Sequence, residues 1–143
     1  MILVIDTNIL LAGLIRDSTV RKIIVESGWE FYYPEISFHE VRKYKDMILE
    51  KSGMNEEEYI GLLYHLLKHI NLVPEEQIKP NIEQADKLLG KVDPDDVIFL
   101  ATAFSIENAK IWSDDTHLEK QNEVRVFKTQ HIVKLFFPEK KLT

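Results

Sequence analysis

Seven acids in this chain stand where acids do chemistry: Asp6, Glu40, Asp93, Asp95, Asp96, Asp114 and Asp115. Asp6 carries the most information. It closes the apolar run Met1-Ile2-Leu3-Val4-Ile5, which reads as a strand buried on both faces of a parallel sheet. An acid at the carboxyl end of such a strand points into the crevice where open α/β sheets bind ligands, and if buried it needs a partner. Carboxylates gathered there from distant parts of a chain repel each other unless they hold a cation or share protons. Hard divalent cations, Mg2+ or Mn2+, take carboxylate oxygens. A pair of them about 4 Å apart can drive phosphodiester cleavage. The acids therefore point to a metal-dependent nuclease.

The elements that must position them alternate. After the first strand, Ile9 to Ile15 predicts a short helical turn. Thr19 to Ser27 predicts a helix ended by Gly28, and Trp29 to Tyr33 a strand stopped by Pro34. Ser37 to Lys51 predicts one helix with Phe38, Val41, Tyr44 and Ile48 on one side. Asn55 caps a helix from Glu56 to His69 whose leucines make a wide apolar stripe. Asn71 to Val73 is a third strand, Pro74 to Pro80 a polar loop, and Asn81 to Leu89 a helix. Pro94 opens a helix running to Asn108 that is apolar almost all round and so belongs in the core. Ile111 to Ser113 and Glu123 to Phe127 are the last strands, and Thr129 caps a closing helix that stops before Pro138. Strands separated by helices imply a mainly parallel sheet covered on both faces. In such a sheet the strand carboxyl ends and the following helix amino ends share one edge, so all the acids can converge.

Each acid also has a structural use. Ser37-Phe38-His39-Glu40 matches a capping box, with Glu40 bonding back to Ser37. Asp93 suits the cap of the helix opened by Pro94, Asp95 and Asp96 suit its positive end, and Asp114-Asp115 suit a turn. The combination, rather than any one acid, raises the functional reading.

Composition frames this. The 143 residues, expected to form a single domain, have a net charge of −6, no cysteine, and no apolar run of membrane-spanning length. Disulfides and thiolate metal sites are excluded, and a cytoplasmic location is expected. The acidic balance argues against bulk nucleic-acid binding. Phosphate contacts can still come from a local basic group; the nearest, Arg42-Lys43-Tyr44-Lys45, reads first as a solvated helix face. His65 and His69 have metal-pair spacing but lack the adjacent Glu of a zinc protease.

Four segments in order resemble those of PIN domains: Val4-Ile5-Asp6-Thr7-Asn8, Ser37-Phe38-His39-Glu40-Val41, Asp93 to Ala103, and Ile111 to Leu118. The resemblance implies a three-layer α/β/α sandwich around a mainly parallel sheet of about five strands. It implies an endoribonuclease acting on single-stranded RNA with Mg2+ or Mn2+. Residue by residue, the catalytic and metal-binding quartet it implies is Asp6, Glu40, Asp96 and Asp115. Asp96 suits the spacing to Ala101 and Ala103, and Asp115 lies two residues after Ser113. Asp93 is an additional metal ligand in this reading. Asn8 and Ser113 orient ligands or substrate, with Thr7 and Asp114 beside them. The resemblance also implies partners: single-stranded RNA, a small antitoxin-like protein, and a second copy of the chain through the helix from Glu56, although core packing is the first use expected of that helix's apolar stripe. The alternative is a non-catalytic PIN-like module for RNA binding or protein assembly. Were the chemistry metal-free, His39 and His117 would be its acid–base candidates.

Overall fold

The protein is described by a computed structural model over residues 1–15 and 18–137. Five strands form one all-parallel sheet: β1 (Ile2–Ile5), β2 (Glu30–Pro34), β3 (Ile70–Val73), β4 (Lys110–Trp112) and β5 (Val126–Phe127). Their order is β3-β2-β1-β4-β5. The chain builds outward from β1 to β3 and then crosses back to the other side of β1. The reversal falls between β1 and β4, and such a switch point opens a crevice at the carboxyl ends of the two strands.

The period-2 alternation of strand side chains divides the core. Leu3, Ile5, Phe31, Tyr33 and Trp112 face one layer, while Val4 and Ile111 face the other. Against the first face lie α1 (Thr7–Gly13), α2 (Thr19–Glu26), α3 (Phe38–Lys43), α4 (Lys45–Ser52) and α5 (Glu56–Leu67), joined by the closing α9 (Thr129–Phe136). Against the second lie α6 (Glu75–Ile78), α7 (Ile82–Leu89) and α8 (Val97–Phe104). The result is the three-layer α/β/α architecture expected from the sequence. No helix among the described residues is long and apolar enough to cross a membrane.

Local signals behave largely as read. Gly28 follows α2 with φ +71, and Gly53 ends α4 in the left-handed region at the same φ, where a side chain would be strained. Asn55 caps α5 in a complete capping box with Glu58. The buried helix after Asp93 is present, with Val97, Phe99, Leu100, Ala101, Thr102 and Ala103 all buried.

Several expectations are corrected. The helix expected from Ser37 to Lys51 breaks at Tyr44, whose φ of −97 and ψ of 8 interrupt the ladder between α3 and α4. The break lets Val41 and Ile48 both stay fully buried while Tyr44 turns outward. The segment Pro74 to Pro80 holds the short α6, because Ile78 is drawn into the second core layer. The helix opened by Pro94 begins with a tighter 3-10 turn, Pro94–Asp96, and ends at Phe104, where the Ser105 hydroxyl donates to the Thr102 carbonyl at 2.6 Å. The fifth strand is only Val126–Phe127, since the three-residue β4 offers it so short a partner. The stop at Pro138 lies outside the described residues.

Candidate active site

The switch-point crevice is a cleft of about 420 Å3 lined by Asp6, Thr7, Asn8, His39, Glu40, Lys43, Tyr44, Asp93, Asp95, Asp96, Phe99 and Asp115. Six of these are carboxylates, drawn from the end of β1, the first turn of α3, the turn before α8 and the loop after β4.

Asp6 caps α1 through the Ile9 amide, which donates to its Oδ1 at 2.9 Å. Its Oδ2 accepts a hydrogen bond from the Ser113 hydroxyl at the end of β4. Ser113 Oγ in turn accepts from the Asp115 amide at 3.0 Å. The two strands flanking the crevice are thus tied together through the acid itself. Asp6 is 5% exposed. Burial pushes its carboxyl up to about 6, with Asp114 and Asp115 adding repulsion and the two hydrogen bonds opposing the rise.

Asp96 is also 5% exposed, and its Oδ2 is buried with no hydrogen-bond partner among the described residues. Burial raises its pKa well above the usual carboxylate range, and proton sharing with Asp115 plus the charges of Asp115, Asp93 and Asp6 raise it further. Asp93, Asp96, Asp115 and His117 each present a ligand-type atom, all within 4.8 Å of one another. His117 Nδ1 lies 2.9 Å from Asp93 Oδ2 and 3.4 Å from Asp115 Oδ1. That contact holds Asp93 below the usual carboxylate range.

Glu40 is placed by a different device from the one its sequence suggests. The Ser37 side chain makes no cap bond, so the capping box is absent. Instead the Tyr33 hydroxyl donates to the Ser37 carbonyl at 2.9 Å, leaving the Thr7 hydroxyl, 2.7 Å away, to donate to the tyrosine oxygen. This buried chain runs from the end of β1 to the turn that launches α3. Glu40 is thereby free to face the cleft.

The adjacent acids separate. Asp115 faces the cleft and caps the 3-10 turn Thr116–Lys120 through the His117 amide at 2.9 Å. Asp114 lies outside the cleft lining. Its Oδ1 accepts from the Thr129 amide at 2.7 Å and its Oδ2 from the Thr129 hydroxyl at 2.6 Å. Asp114 therefore holds the first amide of α9, whose cap position is Lys128 rather than the expected Thr129. Asn8 and Thr7 both line the cleft, Thr7 also bonding Tyr33, while Ser113 bonds Asp6 from outside the lining. His39, Lys43 and Tyr44 line the cleft as well, so Lys43 and Tyr44 depart from the solvated helix face expected of their run.

A hard cation fits these residues. An orphaned buried carboxylate oxygen and two acids driven toward protonation are what a carboxylate cage shows without its countercharge. Fold and site together define a doubly wound α/β protein with an acidic crevice at its switch point. The chain matches the family model described as a PIN domain over residues 4–134, nearly its whole length, and it belongs to that family. The family is one of nucleases that use divalent metals. Among curated proteins no significant match was found.

Proposed function

We propose that the protein is an endoribonuclease that hydrolyses single-stranded RNA with Mg2+ or Mn2+. The observation that carries this reading is the buried, partnerless Asp96 Oδ2 among carboxylates converging from four segments. A binding scaffold gains nothing from such repulsion. The bound ions would acidify a water and stabilise the departing oxygen. Asp6, Glu40, Asp96 and Asp115 would hold them, with Asp93 beside them. Ser113 orients Asp6, and the chain from Thr7 through Tyr33 orients the α3 turn that carries Glu40. Asn8, on the cleft wall, is placed to hydrogen-bond substrate. Exposed Ile60 and Tyr64 on α5 support a contact with a second copy, read by the oligomeric state in solution. A small antitoxin-like protein is the alternative partner.

The test is cleavage of a defined single-stranded RNA. With Mg2+ or Mn2+ the products should carry 5′-phosphate and 3′-hydroxyl ends, because water rather than the ribose 2′-hydroxyl attacks. Cleavage should persist on a strand lacking 2′-hydroxyls and stop in EDTA. Cleavage that survives EDTA and leaves 2′,3′-cyclic phosphate would reject the metal mechanism and return attention to His39 and His117. Binding without cleavage in any metal would favour the non-catalytic module.

A further inference from the structure

The expected solvated face Arg42-Lys43-Tyr44-Lys45 does not behave as one unit. Arg42 lies over the Phe38 ring at 5.5 Å, and Lys45 pairs with Glu56 at 3.0 Å. Lys43 and Tyr44 instead line the acidic cleft, where Lys43 is the one lysine or arginine among the described residues. Two phenyl-type rings line that cleft. Phe99 is buried and packed against Tyr33 at 6.2 Å. Tyr44 is 38% exposed.

That exposure has a structural origin. Tyr44 stands at core spacing with Val41 and Ile48, both fully buried, and a continuous helix would have carried it inward with them. The break at Tyr44 turns it out of the core and onto the cleft rim. The part of the ring that remains exposed is apolar surface on the cleft wall, available for a ligand to cover. The Lys43 ammonium lies over one face of the Tyr44 ring, 5.8 Å from its centroid, so a stacking base must take the opposite face, with the ammonium within the span of one nucleotide. Every nucleobase has an apolar face suited to an exposed ring, and the adjoining phosphate suits an ammonium.

We infer that Tyr44 and Lys43 form a nucleotide subsite at the cleft rim. Tyr44 stacks an unpaired base next to the cleaved bond, and Lys43 contacts that nucleotide's phosphate. The subsite selects single strands, because a base in a duplex is already stacked on both faces. It rests on the proposed ribonuclease reading for its substrate but not for its detection.

The experiment uses the full chain carrying Asp6→Asn, with Mn2+ and a single-stranded RNA oligonucleotide containing 5-iodouridine. Irradiation followed by mass spectrometry should place the adduct on Tyr44, and the same sequence in a duplex should leave Tyr44 unmodified. In protein with native Asp6, Tyr44→Leu should raise KM roughly tenfold, the scale of one lost base stack. Tyr44→Phe, which keeps the ring face, should restore most of that loss, and Lys43→Gln should raise KM and flatten its salt dependence. Adducts that map elsewhere, or a Tyr44→Leu protein that binds as tightly as Tyr44→Phe, would overturn the subsite. An adduct on Tyr44 in a protein that cleaves nothing would uphold the subsite and sink the nuclease. Cleavage with no adduct on Tyr44 would do the reverse.

Discussion

Asp6 ties three things together: the first turn of α1, the end of β4 through Ser113, and the charge of the cleft. Its stability role and its proposed catalytic role pull apart, which makes it a useful probe. Burial raises its pKa from 3.8 to about 6, so across that window the folded state holds a proton that the unfolded chain has lost. Stability of the metal-free protein therefore falls as pH climbs through the window, and a rise of about two units corresponds to about 3 kcal/mol by neutral pH. Asp6→Asn keeps the cap and removes the charge. In EDTA its stability advantage over the native protein should be small near pH 4 and grow to roughly 2–3 kcal/mol by pH 7 in urea unfolding. The same variant should lose divalent-dependent cleavage. A stability difference that ignores pH would deny the buried charge. Asp95 offers the contrast. It lines the cleft, but it is exposed and stands outside the proposed quartet. Asp95→Asn should keep most of the activity, and a loss as complete as that of Asp6→Asn would move the third ligand from Asp96 to Asp95.

The elements show why some of this was legible and some was not. The buried strands announced themselves by short β-branched and aromatic runs, and the helix after Asp93 by being apolar on every side. Asp6 was legible because an acid ending a buried strand has few innocent uses. The break at Tyr44 was not, because neither proline nor glycine marks it and the apolar spacing runs straight through. It follows from long-range packing, with Val41 and Ile48 both held against the core. Glu40 matched a capping box on local pattern, yet the 3-10 turn Glu35–Ser37 and the Tyr33 contact leave the Ser37 side chain no cap to make. Asp115 is chosen by its spacing to Ser113, but what Asp114 does instead depends on a partner 15 residues away, Thr129, which also accepts from the Trp112 indole at 3.0 Å. That triple contact fastens α9 to the end of β4. Asp114→Ala should therefore cost about 1–2 kcal/mol of stability, the usual worth of a helix cap, in chemical denaturation. Its metal-dependent cleavage at a temperature where it is folded should be close to native. Loss of cleavage in a stably folded Asp114→Ala protein would return Asp114 to the site.

At the scale of the molecule, the charge balance decides how nucleic acid can approach. The chain carries −6 overall, and its cleft gathers six carboxylates against Lys43. Unscreened, that field repels phosphates, so the divalent ions that the acids are proposed to hold must also reverse the local potential before a strand can enter. Binding of single-stranded RNA to the Asp6→Asn protein measures this without cleavage, provided the remaining acids still hold an ion. Affinity should be poor in EDTA and rise with Mn2+ as the cleft fills. With few cations touching the strand, monovalent salt should weaken binding only gently. Each phosphate neutralised on a single strand contributes a slope of about −0.7, so one or two contacts give roughly −1 in log affinity against log salt. Fluorescence anisotropy across a salt series at fixed, saturating Mn2+ reads the slope. A slope several times steeper would mean that a basic surface elsewhere on the chain carries the RNA. Tight binding that is indifferent to EDTA would mean that the strand does not enter the acidic cleft.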